Sequence, residues 1–72
     1  MIYYLHMNIS ATDFGKKIKE AREKKKLTQA EVAQKVGLNT NYYAVIERGE
    51  VTTSIENIEK ICKALGIRLV LG

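Results

Sequence analysis

The chain offers few side chains that could perform covalent or metal chemistry. It contains one cysteine, Cys62, and one histidine, His6. A catalytic cysteine needs a base beside it, and these two residues do not have the spacing of a catalytic pair. A structural zinc ion needs four ligands, which one cysteine and one histidine cannot supply. The segment Gly15-Lys16-Lys17 lacks the upstream glycine and the following Ser or Thr of a phosphate-binding loop. The sequence therefore predicts a protein that is not an enzyme and that uses neither a metal nor a cofactor.

Basic side chains are the chemistry that the sequence has in excess. Twelve Lys and Arg residues stand against eight Asp and Glu residues, which gives a net charge of +4 and a pI near 9.3. Seven of the twelve basic residues lie between Lys16 and Lys26. This excess is compatible with a polyanionic partner such as nucleic acid, but a solvated helix face explains the cluster at least as well. The charge alone leaves the partner open.

The sequence predicts four helices in a single small domain. The signals are helix caps, the spacing of apolar residues and glycines at helix ends. Residues 10–26 form the first helix. A T-x-x-E capping box at Thr28 opens the second helix, and Gly37 ends it because glycine accepts a left-handed conformation. The third helix spans roughly Thr40 to Arg48, and a second T-x-x-E box at Thr53 opens the fourth. The predicted buried side of the fourth helix is Ile55, Ile58, Ile61, Cys62 and Leu65.

Short strands are predicted at both ends of the chain. Apolar residues recur at every second position from Tyr3 to Ile9, and the tail Ile67–Leu71 is apolar and β-branched after a glycine stop. We therefore expect a strand-like extension over residues 1–9, a helical domain over 10–66 and a strand over 67–72. The sequence has neither a basic leader nor a long apolar run, which leads us to expect a cytoplasmic protein without a membrane segment.

The second and third helices have the spacing of a helix-turn-helix. With Gln29 as the first position, Ala33 is the fifth, Gly37 the ninth, Tyr43 the fifteenth and Ile46 the eighteenth. The fifth position must be small where the helices cross, and the ninth needs a positive φ. The last two must be apolar to hold the second of the two helices on the core. Together these matches predict a helix-turn-helix.

Residues 14–65 resemble the Cro/C1-type (phage repressor-like) helix-turn-helix domain. The resemblance rests mainly on L-T-Q-A-E-V-A-Q-K-V-G from Leu27 and on I-E-R-G from Ile46. It implies an all-α, four- to five-helix phage repressor-like DNA-binding domain, here with short terminal β-strands. The chain departs from the family pattern at Lys26, where glycine is frequent, and at Thr53, where proline is common. Tyr43 is also bulkier than the usual residue at its position.

The resemblance implies a role for each of several residues. Arg22 and Glu47 are expected to form an ion pair inside the fold. Gln29 is expected to touch a phosphate and to brace the recognition helix. We expect Asn39 to cap the third helix rather than to contact a base. The positions that face the major groove are Thr40, Asn41, Ala44 and Val45, with Asn41 suited to an adenine edge and the apolar pair to a thymine methyl. The expected contacts to the DNA backbone are Lys35, Tyr42 and Arg48.

The predicted function is that of a sequence-specific DNA-binding transcriptional regulator, in the simplest case a repressor. One small domain makes a small interface with double-stranded DNA, so we expect a homodimer that binds a palindromic operator through the major groove. The expected dimerisation residues are Ile67, Leu69 and Leu71 of the tail strand, although the head strand could pair with that strand or cover it instead. An alternative remains, because a fourth helix that runs into an apolar strand is also similar to HipB-like antitoxins. The protein would then neutralise a toxin and regulate its own operon.

Overall fold

The computed structural model describes residues 3–6 and 10–70 of the chain. In this part of the chain the elements follow the order β1 (Tyr3–His6), α1 (Ala11–Lys24), α2 (Gln29–Val36), α3 (Thr40–Glu47), α4 (Ile55–Leu65) and β2 (Ile67–Val70). This arrangement confirms the predicted fold class of four helices with short terminal strands. Residues 1–2 and 7–9 of the predicted head extension, and residues 71–72 of the predicted tail strand, which include Leu71, lie outside the described residues.

Hydroxyl caps begin the first two helices, as their sequences predict. The Ser10 hydroxyl accepts a hydrogen bond from the Asp13 amide at 3.1 Å. At α2 the Thr28 hydroxyl accepts from the Glu31 amide at 3.0 Å, and the Glu31 carboxylate accepts from the Thr28 amide at 2.8 Å. Each bond satisfies an amide that has no partner within its helix, so these residues fix where α1 and α2 begin.

The predicted start of α4 is wrong by one residue. Ser54, and not Thr53, is the cap, and its hydroxyl accepts a hydrogen bond from the Asn57 amide at 3.1 Å. Thr53 is only 8% exposed, and its hydroxyl bonds to side chains elsewhere in the fold. Because the next residue is also a good cap, α4 can begin at Ser54 while Thr53 makes tertiary contacts.

Left-handed backbone conformations end the helices at the turns. Gly37 has φ +72°, and the Leu38 amide after it donates to the Ala33 carbonyl at 2.9 Å, which closes the end of α2. Lys26, in the turn after α1, has φ +58° and is the one non-glycine residue with a positive φ in the described part of the chain. The departure from the family's glycine at this position therefore places a lysine in a conformation that costs an L-residue about 1–2 kcal/mol.

All four helices contribute to one core. Its fully buried side chains include Ile18 of α1, Val32 of α2, Tyr43 of α3 and Ile61 of α4. Cys62 is also a core residue, and burial raises the pKa of its thiol to about 11. Ile55 was predicted to be buried but is 47% exposed. It occupies the first turn of α4, and burial increases along that helix only from its second turn onward.

The two terminal strands pair with each other within one chain. β1 and β2 are parallel, and Tyr3 lies opposite Ile67 while His6 lies opposite Val70. Ile67 is 5% exposed and belongs to the core, and Leu69, on the same face of β2, is half-buried against it. Arg68 between them is exposed. The head strand therefore pairs with the tail strand, which was one of the arrangements left open by the sequence.

Candidate nucleic-acid interface

One face of α3 is held against the core and the opposite face is presented to solvent. Tyr43, Ile46 and Glu47 are buried. At 100° per residue, the positions that lie opposite them are 41, 44, 45 and 48. Asn41 and Arg48 are exposed, and Ala44 and Val45 are partly exposed. We call these four residues the reading face, and the exposed side chains of Thr40 and Tyr42 lie at its two margins.

The chemistry of the reading face suits base edges in a major groove. The Asn41 amide carries both a donor and an acceptor, which is the pair that an adenine edge requires, and the methyl groups of Ala44 and Val45 can contact a thymine methyl. Residues 40–47 contain no Arg, Lys or Gln. Arg48 is the one side chain of the reading face that could make a bidentate contact to guanine, and it is paired with Glu50, so the other three residues suit A·T pairs.

Asn39 positions the start of the reading face. Its side-chain oxygen accepts hydrogen bonds from the backbone amides of Asn41 at 2.8 Å and Tyr42 at 3.3 Å. The oxygen is thus occupied as the cap of α3. Contact between Asn39 and a base stays a prediction, and the geometry assigns the residue the capping role expected from its position.

A buried ionic network fixes α3 against α1 and α2. The Arg22 guanidinium donates to both carboxylate oxygens of Glu47, with its Nε 2.6 Å from Oε2 and its Nη2 3.0 Å from Oε1. Arg22 also donates to the Leu27 carbonyl at 2.8 Å, and the Gln29 amide donates to Glu47 Oε1 at 3.2 Å. The side chains of Arg22 and Glu47 are 12% and 2% exposed. Gln29, the first residue of α2, therefore braces the end of α3.

The network keeps Glu47 ionised. Burial alone would raise the pKa of this carboxyl. The hydrogen bonds from Arg22, the nearby Tyr43 hydroxyl and the hydrogen bond from Gln29 outweigh the effect of burial and lower the pKa below its ordinary value. The hydrogen bond to Glu47 in turn raises the pKa of Arg22 despite partial burial. Burial and then the adjacent carboxylate raise the pKa of Tyr43, whose hydroxyl stays protonated. The fold thus holds a charged pair inside the protein.

A second set of hydrogen bonds connects the margin of the reading face to α4. The Tyr42 hydroxyl lies 2.9 Å from the Thr53 hydroxyl, and the Asn57 side-chain amide donates to the same Thr53 oxygen at 2.9 Å. Tyr42 is 37% exposed, whereas Thr53 is buried. Sequence reasoning identified Tyr42 but missed Thr53 and Asn57 as its supports. No local pattern could reveal them, since the contact joins residues eleven positions apart.

The two basic residues predicted to meet the DNA backbone differ in their surroundings. Arg48 donates to Glu50 at 2.8 Å and 3.3 Å, and both side chains are more than half exposed. This pairing was not predicted from the sequence. Lys35, at the C-terminal end of α2, borders a shallow groove with Lys60 and Lys63 of α4. Phosphate contact by either residue stays a prediction, and for Arg48 it would require the guanidinium to leave the Glu50 carboxylate.

A family model described as helix-turn-helix matches residues 18–71, which include α2, α3 and their supports. The chain belongs to the Cro/C1-type helix-turn-helix family. Two curated relatives are control proteins. The chain is 42% identical to control protein C.MunI of Mycoplasma sp over 88% of this chain and 86% of the relative. It is 41% identical to control protein C.BamHI of Bacillus amyloliquefaciens over 76% of this chain and 69% of the relative.

Further similarity of this Cro/C1-type chain extends to a phage repressor and to a crystal structure. It is 40% identical to the immunity repressor protein of Bacillus phage phi105 over 76% of this chain, but the match spans only 38% of that repressor. The crystal structure of the restriction-modification controller protein C.AhdI from Aeromonas hydrophila superposes with a TM-score of 0.76 at 36% identity. The superposition covers 81% of this chain and 88% of the controller.

These findings establish the general function of the Cro/C1-type domain. The chain is a helix-turn-helix DNA-binding transcriptional regulator, as the sequence predicts. The relatives reported above are named as repressors or control proteins, which gives the antitoxin alternative no additional support. None of the helices in residues 10–70 has the length and apolar character needed to cross a membrane.

Proposed function

We propose that the protein regulates transcription by binding a palindromic operator as a homodimer, with each α3 in a major groove. The observation that carries this proposal is the reading face. Its amide and methyl groups point away from the core, while the Arg22–Glu47–Gln29 network holds the opposite side of α3. The contacts to phosphates would then come from Lys35, Tyr42 and Arg48. Gln29, at the start of α2, would add a further contact to a phosphate.

Selection of bound sites from random double-stranded DNA tests the operator proposal. The recovered motif should be palindromic, with half-sites about one helical turn apart, and should contain A·T pairs opposite the reading face. Asn41→Ala should relax the sequence preference while binding to unrelated DNA persists. Gln34→Ala, which removes an exposed amide on α2, is the matched control. Equal losses on all sequences would assign Asn41 to the DNA backbone, and binding that does not weaken as salt rises would refute the proposal.

The dimer proposal concerns β2. Within the described residues β2 pairs with β1 along one edge only, and an open apolar edge is suited to pairing with a second copy of the strand. Ile67 lies in the core of its own chain, so Leu69 and Leu71 are the proposed contacts. Replacing both with Glu should give a monomer in sedimentation and weaken operator binding. An unchanged dimer would place the interface elsewhere.

A second candidate is a regulator of restriction-modification genes. The likeness to C.MunI extends over most of both chains, and the superposed C.AhdI structure is that of a restriction-modification controller. Mapping bound sites in the native genome distinguishes the candidates. Sites upstream of restriction and methyltransferase genes support the controller, and sites elsewhere support a repressor of other genes. A stoichiometric toxin that co-purifies with the protein would instead favour the antitoxin alternative.

A further inference from the structure

Three polar side chains form a continuous hydrogen-bond chain, which runs from the first turn of α4 to the margin of the reading face. The Asn57 amide nitrogen lies 2.9 Å from Thr53 Oγ1, which lies 2.9 Å from Tyr42 Oη. The Asn57 backbone amide also donates to Ser54, so the cap that starts α4 fixes the residue from which the chain begins. Thr53 is 8% exposed and Tyr42 is 37% exposed. The hydrogen-bonded series therefore runs from the partly buried Asn57 through the buried Thr53 to a tyrosine that is partly exposed to solvent.

The donors in this chain can all point in one direction. The Asn57 amide nitrogen can only donate, so Thr53 Oγ1 accepts from it and keeps its own proton. If Thr53 donates that proton to Tyr42 Oη, the Tyr42 proton points outward to the surface. A phosphate oxygen can only accept, so it completes the series without leaving any donor unmatched. Hydrogen bonds in such a series polarise one another, and the buried Thr53 is shielded from competing water.

We propose that Thr53 and Asn57 are positioning residues that hold the Tyr42 hydroxyl as a hydrogen-bond donor to one DNA phosphate at the margin of the reading face. This inference rests on the proposed function, because it requires α3 to lie in the major groove. Thr53 occupies the position at which the family commonly has proline, and proline could not supply the hydroxyl. The contact would fix the register of α3 on the DNA without reading a base.

The experiment combines four variants with operator DNA that carries a single methylphosphonate at one backbone position at a time. A methylphosphonate removes an acceptor oxygen and its charge from one chosen phosphate. The variants are Tyr42→Phe, Thr53→Val, the double variant and Thr53→Ser, which keeps the hydroxyl. Tyr42→Phe keeps the ring and removes only the hydroxyl of a partly exposed residue, so it tests the proposal even if Thr53→Val does not fold.

The expected result has three parts. Tyr42→Phe and Thr53→Val should each weaken operator binding about threefold to tenfold, the double variant no more than either one, and Thr53→Ser should bind as the natural protein does. One methylphosphonate position should weaken binding by the natural protein but add little in Tyr42→Phe. The slope of log K against log salt should stay the same, because a neutral donor releases no counterions.

Two outcomes would overturn the inference. If Tyr42→Phe lowers thermal stability but leaves operator affinity and the methylphosphonate pattern unchanged, the chain is only a link between α3 and α4. If the losses in Tyr42→Phe and Thr53→Val add, the two hydroxyls act independently. Failure of the proposed function gives a different result, because the natural protein itself would then show no salt-dependent binding to DNA.

Discussion

Removal of one partner from the Arg22–Glu47 pair should destabilise the protein severely. In Arg22→Met the apolar stem remains, but Glu47 loses two hydrogen bonds and its counter-charge while its side chain is only 2% exposed. Among the side-chain hydrogen bonds of the described structure, Gln29 would remain as its donor at 3.2 Å. The Leu27 carbonyl would lose its bond to Arg22 as well. The variant therefore leaves a nearly uncompensated charge inside the fold.

The size of the effect follows from the burial of the pair. Leaving one member of a buried pair without its partner costs about 3–5 kcal/mol, whereas a surface pair contributes about 0–1 kcal/mol. A domain of this length has a total stability of about 4–11 kcal/mol, so Arg22→Met should lose a large part of it. The melting temperature should fall by at least about 12 °C. Replacing both partners by Met should recover much of the loss, because no buried charge then remains.

Urea unfolding of the natural protein, both single variants and the double variant measures this coupling. Glu47→Met leaves Arg22 with the Leu27 carbonyl and some solvent, so its loss should be smaller than that of Arg22→Met. The double variant should be more stable than Arg22→Met. It should nevertheless bind operator DNA more weakly than the natural protein, because Gln29 loses the Glu47 carboxylate that holds it. The exposed Lys60–Glu56 pair is the matched control, and its disruption should change stability by less than about 1 kcal/mol.

The pH dependence has a defined sign. The pKa of Glu47 is lower in the folded protein than the ordinary value of 4.5, so the unfolded chain binds the proton first as the pH falls. The stabilisation is complete above about pH 4.5 and is lost as the pH falls through the lower, folded value. The double variant should lack this component of acid sensitivity. A loss below about 1 kcal/mol in Arg22→Met, or a double variant no more stable than that single variant, would refute the reasoning.

Three further substitutions test other features. Lys26→Gly should stabilise the protein by about 0.5–1 kcal/mol in urea unfolding, because φ is +58° there, whereas Lys25→Gly, at φ −84°, should destabilise it. Gly15→Ala should lower the melting temperature despite alanine's better helix propensity, because the new Cβ would lie 2.8 Å or less from carbonyl oxygens of α3. An unchanged melting temperature would show that α1 and α3 can move apart to accept the methyl group. Glu50→Gln should release Arg48 for phosphate contact and steepen the salt dependence of operator binding by about one unit, and an unchanged slope would mean that Arg48 does not meet a phosphate.

Much of the fold can be predicted from the sequence because the signals are local. A cap and its amide lie three residues apart, and a glycine stop lies directly after the helix that it ends. The start of α4 shows the limit of such signals. Thr53 and Ser54 both fit the capping pattern, and the choice between them depends on Tyr42, eleven residues before Thr53.

The candidate site also has features that the sequence predicts and features that it does not. The family resemblance implied that Thr40, Asn41, Ala44 and Val45 face the groove. Helical spacing in the structure places positions 41, 44, 45 and 48 opposite the buried Tyr43 and Ile46, so Thr40 lies at the margin and Arg48 joins the face. The Arg22–Glu47 pair was expected from the family resemblance alone, since no spacing relates residues 25 positions apart. The Arg48–Glu50 pair lies close in sequence, but many partners are open to an exposed arginine, and its orientation depends on the turn after α3.

The sequence by itself determined the four helices, the caps that begin α1, α2 and α3, the glycine stops of α2 and α4, and the helix-turn-helix, because these depend on interactions within a turn or two of the chain. Only the tertiary structure decided the parallel pairing of β1 with β2, the exposure of Ile55 and the link from Asn57 through Thr53 to Tyr42. Each of these depends on which surfaces meet when the helices pack. Such contacts join distant residues through three-dimensional shape, which the order of residue types does not display.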